Sequence, residues 1–207
     1  MEGLFIVIEG IDGAGKTLHS RLLQKALEKE GFAAVYTAEP SKGPVGRLLR
    51  DFSLKGVKLP PEVETLLFAA DRLQHVKSAI LPNLRKDKIV ICDRYLHASL
   101  AYQGAQSVDL KWIKEVNKFA VKPDLAIYLD VPAEVGLSRI RQRKKSVFEK
   151  IDMERKVREI YLELVKSGEL ILVDAERPVK EVHNELKRLV MKKVSSFKAR
   201  GSLIHCP

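Results

Sequence analysis

Cysteine is scarce: Cys92 and Cys206 are the only two in 207 residues. Two thiols make no disulfide framework, which excludes a small stapled secreted scaffold. Cys92 lies in an apolar run and reads as core. Long apolar runs are missing too. The first, residues 4–8, is far too short to cross a membrane, and Glu2 argues against a signal peptide. No repeat or low-complexity linker divides the chain. These absences lead to the expectation of one cytoplasmic domain over 1–207, with reduced thiols and no membrane partner. Acidic residues are outnumbered, 27 against 37 basic, for a net charge of +10. That balance suits an acidic partner, a nucleotide more readily than a nucleic acid. The basic residues Lys187, Arg188, Lys192, Lys193, Lys198 and Arg200 read as a solvated face or loose tail. An apolar content of 45% is enough for a sizeable core.

What is present centres on residues 4–17, LFIVIEGIDGAGKT. Five apolar residues read as a short buried strand. Gly10, Ile11, Asp12, Gly13, Ala14, Gly15, Lys16 and Thr17 then fit the G-x-x-x-x-G-K-[ST] phosphate-binding loop. Glycines let the backbone wrap close to a phosphate chain, with successive N–H groups pointing inward. The helix that follows adds its positive dipole end. In this frame Lys16 reaches the β- and γ-phosphates of ATP, and the Thr17 hydroxyl ligates Mg²⁺.

Periodicity and breakers divide the rest. Helices are expected over about 16–30, 43–51, 62–84, 109–120, 133–143, 149–166 and 179–194, with Pro61 at a first turn and Asp109 as a cap. Residues 53–59 read as loop. Strands are expected at 4–8, 33–37, 89–92, 125–129 and 170–173. Five short apolar strands alternating with helices predict an α/β fold of phosphate-loop NTPase type: three layers, with a five-stranded parallel sheet covered on both faces. Ligands in such sheets bind beyond the carboxyl ends of the strands. Strand one ends in the phosphate loop, strand two in Glu39-Pro40, strand three in Asp93-Arg94.

The ending of strand three narrows the chemistry. A GTPase needs N-K-x-D after a strand; Asn117-Lys118-Phe119-Ala120 lacks the Asp and falls on a helix. Mechanical ATPases place Asp-Glu after strand three, whereas here Asp93 precedes Arg94. Asp93 suits Mg²⁺, directly or through water, and Arg94 suits an acceptor phosphate. Such an acceptor is already an anion and needs no general base. Kinases acting on other small molecules, and a nucleic-acid-binding ATPase, are the competing readings; Arg72 and Arg94 together favour a phosphorylated acceptor.

Several blocks then carry a family resemblance. EGIDGAGKT, Glu39-Pro40, LLFAADRLQH at 66–75, DRYLHASLAYQG at 93–104 and PDLAIYLDVP at 123–132 resemble thymidylate kinase, in that family's order. The resemblance implies ATP plus dTMP giving ADP plus dTDP, with Mg²⁺ and a homodimer. It implies that Asp12 accepts from the 3′-hydroxyl of dTMP and that Phe68 stacks on thymine. Arg72 faces the base and phosphate region, Arg94 binds the acceptor phosphate, and Ser99 hydrogen-bonds thymine. Tyr102 crowds the 2′ position of the sugar, supported by Gln103. Pro40, after Glu39, resembles the family's cis-proline beside the acceptor. The phosphate loop has no arginine at its variable positions. The resemblance therefore puts the donor-side catalytic arginine in a basic lid at about 139–149, where Arg141 and Arg143 are the candidates, with Arg139, Lys144 and Lys145 beside them. Lys42 matches an acceptor-phosphate arginine of some members. His19, where the family has glutamine, reads as a solvated helix residue.

Overall fold

The computed structural model describes residues 3–140 and 147–198. The lid candidates Arg141, Arg143, Lys144 and Lys145 lie outside the described residues, as do Arg200 and Cys206. Strands β1 (Leu4–Gly10), β2 (Ala34–Ala38), β3 (Ile89–Asp93), β4 (Leu125–Asp130) and β5 (Ile171–Asp174) form one sheet in the order β2-β3-β1-β4-β5. Every pairing is parallel, with Leu4 opposite Ile89 and Ile6 opposite Leu125. All seven residues of β1 are buried, as are all five of β3. A central parallel strand has helices on both faces, so its sequence is a continuous apolar run without alternation. The edge strand β5 buries only Val173.

The covering helices are α1 (Lys16–Lys29), α2 (Pro44–Lys55), α3 (Pro61–His75), α4 (Leu81–Leu84), α5 (Leu96–Ala105), α6 (Leu110–Val116), α7 (Ala133–Arg139), α8 (Val147–Lys166) and α9 (Val179–Lys198). In α9, Val182, Leu186, Val190 and Val194 recur every fourth residue and are all buried. Each such side chain contributes roughly 1.5–3 kcal/mol on burial. Their stripe is why α9 lies down on the core instead of fraying at 194.

Boundaries differ from the sequence expectation in several places. The helix expected over 133–143 ends at Arg139, because Ile140 is extended and leaves the helical path. The helix expected over 43–51 continues to Lys55, because Gly56, at φ 66°, supplies the left-handed cap that ends it. The helix expected over 62–84 is interrupted by a π-helical turn, Val76–Ile80. Pro82 explains this: it lacks an N–H and its ring crowds the preceding turn, and a wider turn accommodates both. The segment 109–120 is helical only over Leu110–Val116, with the Asp109 carboxyl accepting from Lys111 N at 3.0 Å. No helix among the described residues is long and apolar enough to cross a membrane.

Candidate active site

The carboxyl ends of β1, β2 and β3 open onto two adjoining cavities. The larger, of about 940 Å³, is lined by Asp12 to His19, Asp93, Arg139 and the segment 175–179. The second, of about 580 Å³, is lined by Pro40, Arg50, Phe68, Arg72, Ser99, Tyr102 and Gln103 among others. Asp12, Glu39 and Arg94 line both, so these three side chains are the shared wall.

The phosphate loop is shaped by backbone contact. Gly13 has φ 79°, and a Cβ there would come within 1.9 Å of the Gly136 carbonyl oxygen in α7. Only glycine permits both the dihedral and the approach. Gly10 ends β1, and Ile11 is buried beneath the loop. Lys16 Nζ donates to Ile11 O at 2.7 Å, folded back across the loop. Burial pushes its pKa down to about 8, helped by the Arg94 charge and opposed by Asp12, Asp93 and Glu9. An arriving anion reverses the pressure, which prepares Lys16 for a phosphate chain. Thr17 Oγ1 donates to Asp93 Oδ2 at 2.5 Å. Hydroxyl and carboxyl oxygens side by side are a hard donor set. Mg²⁺ takes such a pair when phosphates and waters complete its shell.

Arg94 has φ 67°, uncommon for a residue with a Cβ. Its N–H donates to Ile8 O at 3.0 Å, and its carbonyl accepts from the Cys92 thiol at 3.0 Å. These bonds hold the conformation, which turns the side chain out of the sheet end and into the shared wall. There Nη2 donates to Asp12 and, at 3.0 Å, to the Tyr102 hydroxyl, with the guanidinium 4.5 Å from the Tyr102 ring centroid. Burial acts to raise the Asp12 pKa, but Arg94 and Lys16 outweigh it and hold the carboxyl below its usual value. Asp12 is therefore an ionised acceptor at neutral pH.

Phe68 and Arg72 are four residues apart on α3 and reach the same cavity. Arg72 is only 1% exposed. Its Nε donates to Glu39 Oε2 at 2.9 Å and its Nη1 to Asn117 Oδ1 at 2.6 Å. Nη2 donates to Tyr95 O at 2.9 Å and Ser99 Oγ at 3.0 Å. A guanidinium has five N–H donors, so one, on Nη1, is left over. Glu39 is held in turn by His75, whose Nδ1 lies 3.1 Å from Oε1 and whose Nε2 lies 2.6 Å from Thr37 Oγ1. The Glu39-Pro40 bond is cis. Gln103 Nε2 donates to Glu64 at 3.0 Å, which braces α5 against α3 behind Tyr102.

The structure also brings in residues that sequence reasoning missed. Glu154 of α8 accepts from Asp12 N at 3.3 Å and from the Tyr102 hydroxyl at 3.2 Å. Arg50 lines the smaller cavity and donates to Pro40 O at 2.7 Å and Ser41 O at 2.6 Å. Lys42, the sequence candidate for that region, is exposed and lines neither cavity. Arg50, within α2, has the better approach. Asp71 accepts from Ser41 N at 2.6 Å and Ser41 Oγ at 2.5 Å, pinning the turn after Pro40. Asn117 closes α6 and orients Arg72. Glu154 and Asn117 carried no local signal, because each meets partners distant in sequence; Arg50 carried none because a basic residue on a helix is ordinarily solvated. Asp71 stood inside the LLFAADRLQH block, whose resemblance was the signal that could have found it.

A family model described as thymidylate kinase matches residues 8–186. A "Probable thymidylate kinase" of Pyrococcus abyssi is 46% identical over 198 residues, covering 92% of this chain and 97% of that protein. One of Pyrobaculum aerophilum is 44% identical over 196 residues, covering 94% and 99%. Another, of Staphylothermus marinus, is 42% identical over 191 residues, covering 91% and 95%.

Proposed function

The chain belongs to the thymidylate kinase family, and from that premise we propose that it transfers the γ-phosphoryl group of ATP to dTMP, in the cytoplasm. The observation that carries the reading is Arg94 in the wall between two cavities. A cation at that junction serves a reaction in which two anionic groups must meet.

The larger cavity takes ATP, with its phosphates in the nest of Gly10, Ile11, Asp12, Gly13, Ala14, Gly15, Lys16 and Thr17. Thr17 and Asp93 would hold Mg²⁺, which neutralises charge on the phosphates when bound. Lys16 leaves Ile11 O for the β- and γ-phosphates. The smaller cavity takes dTMP. Phe68 stacks on the base, and Arg94 presents its N–H groups to the acceptor phosphate. An oxygen of that phosphate, already anionic, forms the bond to the γ-phosphorus as the bond to the ADP oxygen breaks. No covalent enzyme intermediate and no general base is required. Asp12, an ionised acceptor, suits the 3′-hydroxyl. Tyr102, braced by Gln103 and Glu154, stands against the 2′ position. The spare Arg72 N–H and the Ser99 hydroxyl, whose oxygen already accepts from Arg72, suit a base edge that presents a carbonyl. Cytosine puts an amino group there and leaves donors facing donors. Glu39 and Pro40 hold Arg72 and the turn after β2 in place. Arg141 and Arg143 are proposed as donor-side groups of the lid, and the working form as a homodimer.

The test is acceptor choice. With Mg²⁺-ATP and each nucleoside monophosphate, ADP formation should be fastest with dTMP. A missing methyl in a fitted pocket should slow dUMP roughly 10–200-fold in kcat/KM. UMP, CMP, AMP and GMP should be poorer still. AMP or CMP as best acceptor would remove the dTMP assignment.

A further inference from the structure

Tyr36 lines the larger cavity beside the two residues that suit Mg²⁺. It stands in β2, two residues before Ala38, so the pleat puts both side chains on one face of the sheet. Ala38 is the register partner of Asp93 in β3. Over that face lies α1, where Thr17 and Arg21 are four residues apart and share one side of the helix. Thr17 Oγ1 donates to Asp93 Oδ2 at 2.5 Å. The Arg21 guanidinium lies 4.2 Å from the centroid of the Tyr36 ring. The Tyr36 hydroxyl donates to the same Asp93 Oδ2 at 3.4 Å. Burial, then the Asp93 charge, raise the phenol pKa, so the hydroxyl keeps its proton and acts as the donor.

The consequence falls on the carboxylate. An aspartate carboxylate turns readily about its last bond, and a single hydrogen bond leaves it a pivot. Two donors from different elements, one on α1 and one on β2, fix its plane. Both converge on Oδ2, and Oδ1 accepts no hydrogen bond among the described residues. Oδ1 is therefore the oxygen available to a cation or to one of its waters. Arg21 is exposed, and Tyr36 is half-buried beneath it. A cation over a tyrosine face contributes about 0.5–1 kcal/mol at an exposed site, enough to keep the ring from turning out to solvent.

We propose that Tyr36 is a positioning residue of the Mg²⁺ site: covered by Arg21, it fixes the Asp93 carboxylate with Oδ1 turned to the cation. The inference rests on reading Thr17 and Asp93 as the Mg²⁺ pair, and it is independent of the acceptor. Titration calorimetry with ATP, once in excess Mg²⁺ and once in EDTA, tests it. The ratio of the two dissociation constants reads how far the cation strengthens nucleotide binding. Tyr36→Phe keeps the ring beneath Arg21 and removes only the hydroxyl. It should cut that ratio roughly 3- to 10-fold, at or below the low end for a group that orients a metal ligand, because the bond is long. Affinity for ATP in EDTA should stay the same. Thermal melts check folding. Should Tyr36→Phe not fold, Arg21→Met, which frees the ring to turn, carries the same expectation. An unchanged ratio overturns the proposal. Equal weakening of ATP with and without the cation also overturns it, by making Tyr36 part of the nucleotide pocket or of its shape. Asp93→Asn is the reference and should bring the ratio close to one. If Asp93→Asn keeps the wild-type ratio, the Mg²⁺ reading of that pair itself fails, a result distinct from a silent Tyr36.

Discussion

Arg94 concentrates the chemistry at the scale of one residue. Its positive φ costs of order 1 kcal/mol or more, retained where the surroundings over-determine the conformation. Here Ile8 O and the Cys92 thiol do so. The result is a guanidinium set in the wall shared by the two cavities. Arg94→Ala should weaken dTMP binding by about 100-fold or more, since each charge-assisted bond contributes roughly 1.5–3 kcal/mol. ATP binding should stay within a few-fold, because the loop keeps its backbone donors and Lys16. Calorimetry with each ligand separates the two effects; lost ATP binding with unchanged dTMP binding would reverse the assignment of the cavities. At this scale the sequence was legible wherever chemistry and spacing coincide. Phe68, Arg72, Ser99 and Tyr102 meet in one cavity because a helical turn and the D-R-Y block put them there. His19, read as solvated, is buried. Burial by a distant element leaves no local trace, and polar residues on helices are ordinarily solvated.

Elements were legible in kind and less so in extent. All five strands stand where apolar runs were, because a buried parallel strand needs nothing else. Helix ends depended on backbone accounting that composition does not carry: Gly56 extends α2, and Pro82 forces the π turn after α3. The helix α5 escaped notice because its residues are apolar on nearly every side, without a clear stripe. The elements α2 and α3, with the segment joining them, also expose Leu48, Leu54, Val57, Val63 and Leu66. Apolar surface of this extent on covering helices suits a partner. If the partner is a second copy, light scattering should give twice the 23.4 kDa chain mass. Leu66→Glu should then shift the population to single chains. A wild type of single-chain mass at tens of micromolar would end the homodimer reading.

For the whole molecule, the sheet order places β1 at the centre and puts a carboxylic acid inside it. Glu9 is completely buried. Its Oε1 accepts from Tyr95 N at 2.9 Å and its Oε2 bonds the Tyr161 hydroxyl at 2.9 Å, so one side chain ties β1, the turn after β3 and α8 together. Burial pushes its pKa up to about 7, against the Tyr161 bond, the Arg94 charge, the Tyr95 N–H and the Arg72 charge. In the unfolded chain it titrates near 4.5. Between those values the native state holds the proton that the unfolded state has released. Stability from this group is therefore complete below about pH 4.5 and declines as pH rises toward 7. Each pH unit in that window costs up to about 1.4 kcal/mol, or roughly 3 kcal/mol in all. Glu9→Gln removes the titration and keeps both partners, since the amide oxygen accepts from Tyr95 N and the amide NH₂ donates to the tyrosine oxygen. Denaturant unfolding at a series of pH values should then show the variant gaining on the wild type by up to about 3 kcal/mol from pH 4.5 to 7.5, with no further gain above. Other groups titrate equally in both proteins, so the difference between the two curves isolates Glu9. Parallel curves across this window would mean that Glu9 titrates in the folded protein as it does in the unfolded chain, and is ionised at neutral pH. The centre of the sheet would then carry a paid-for charge instead of a proton.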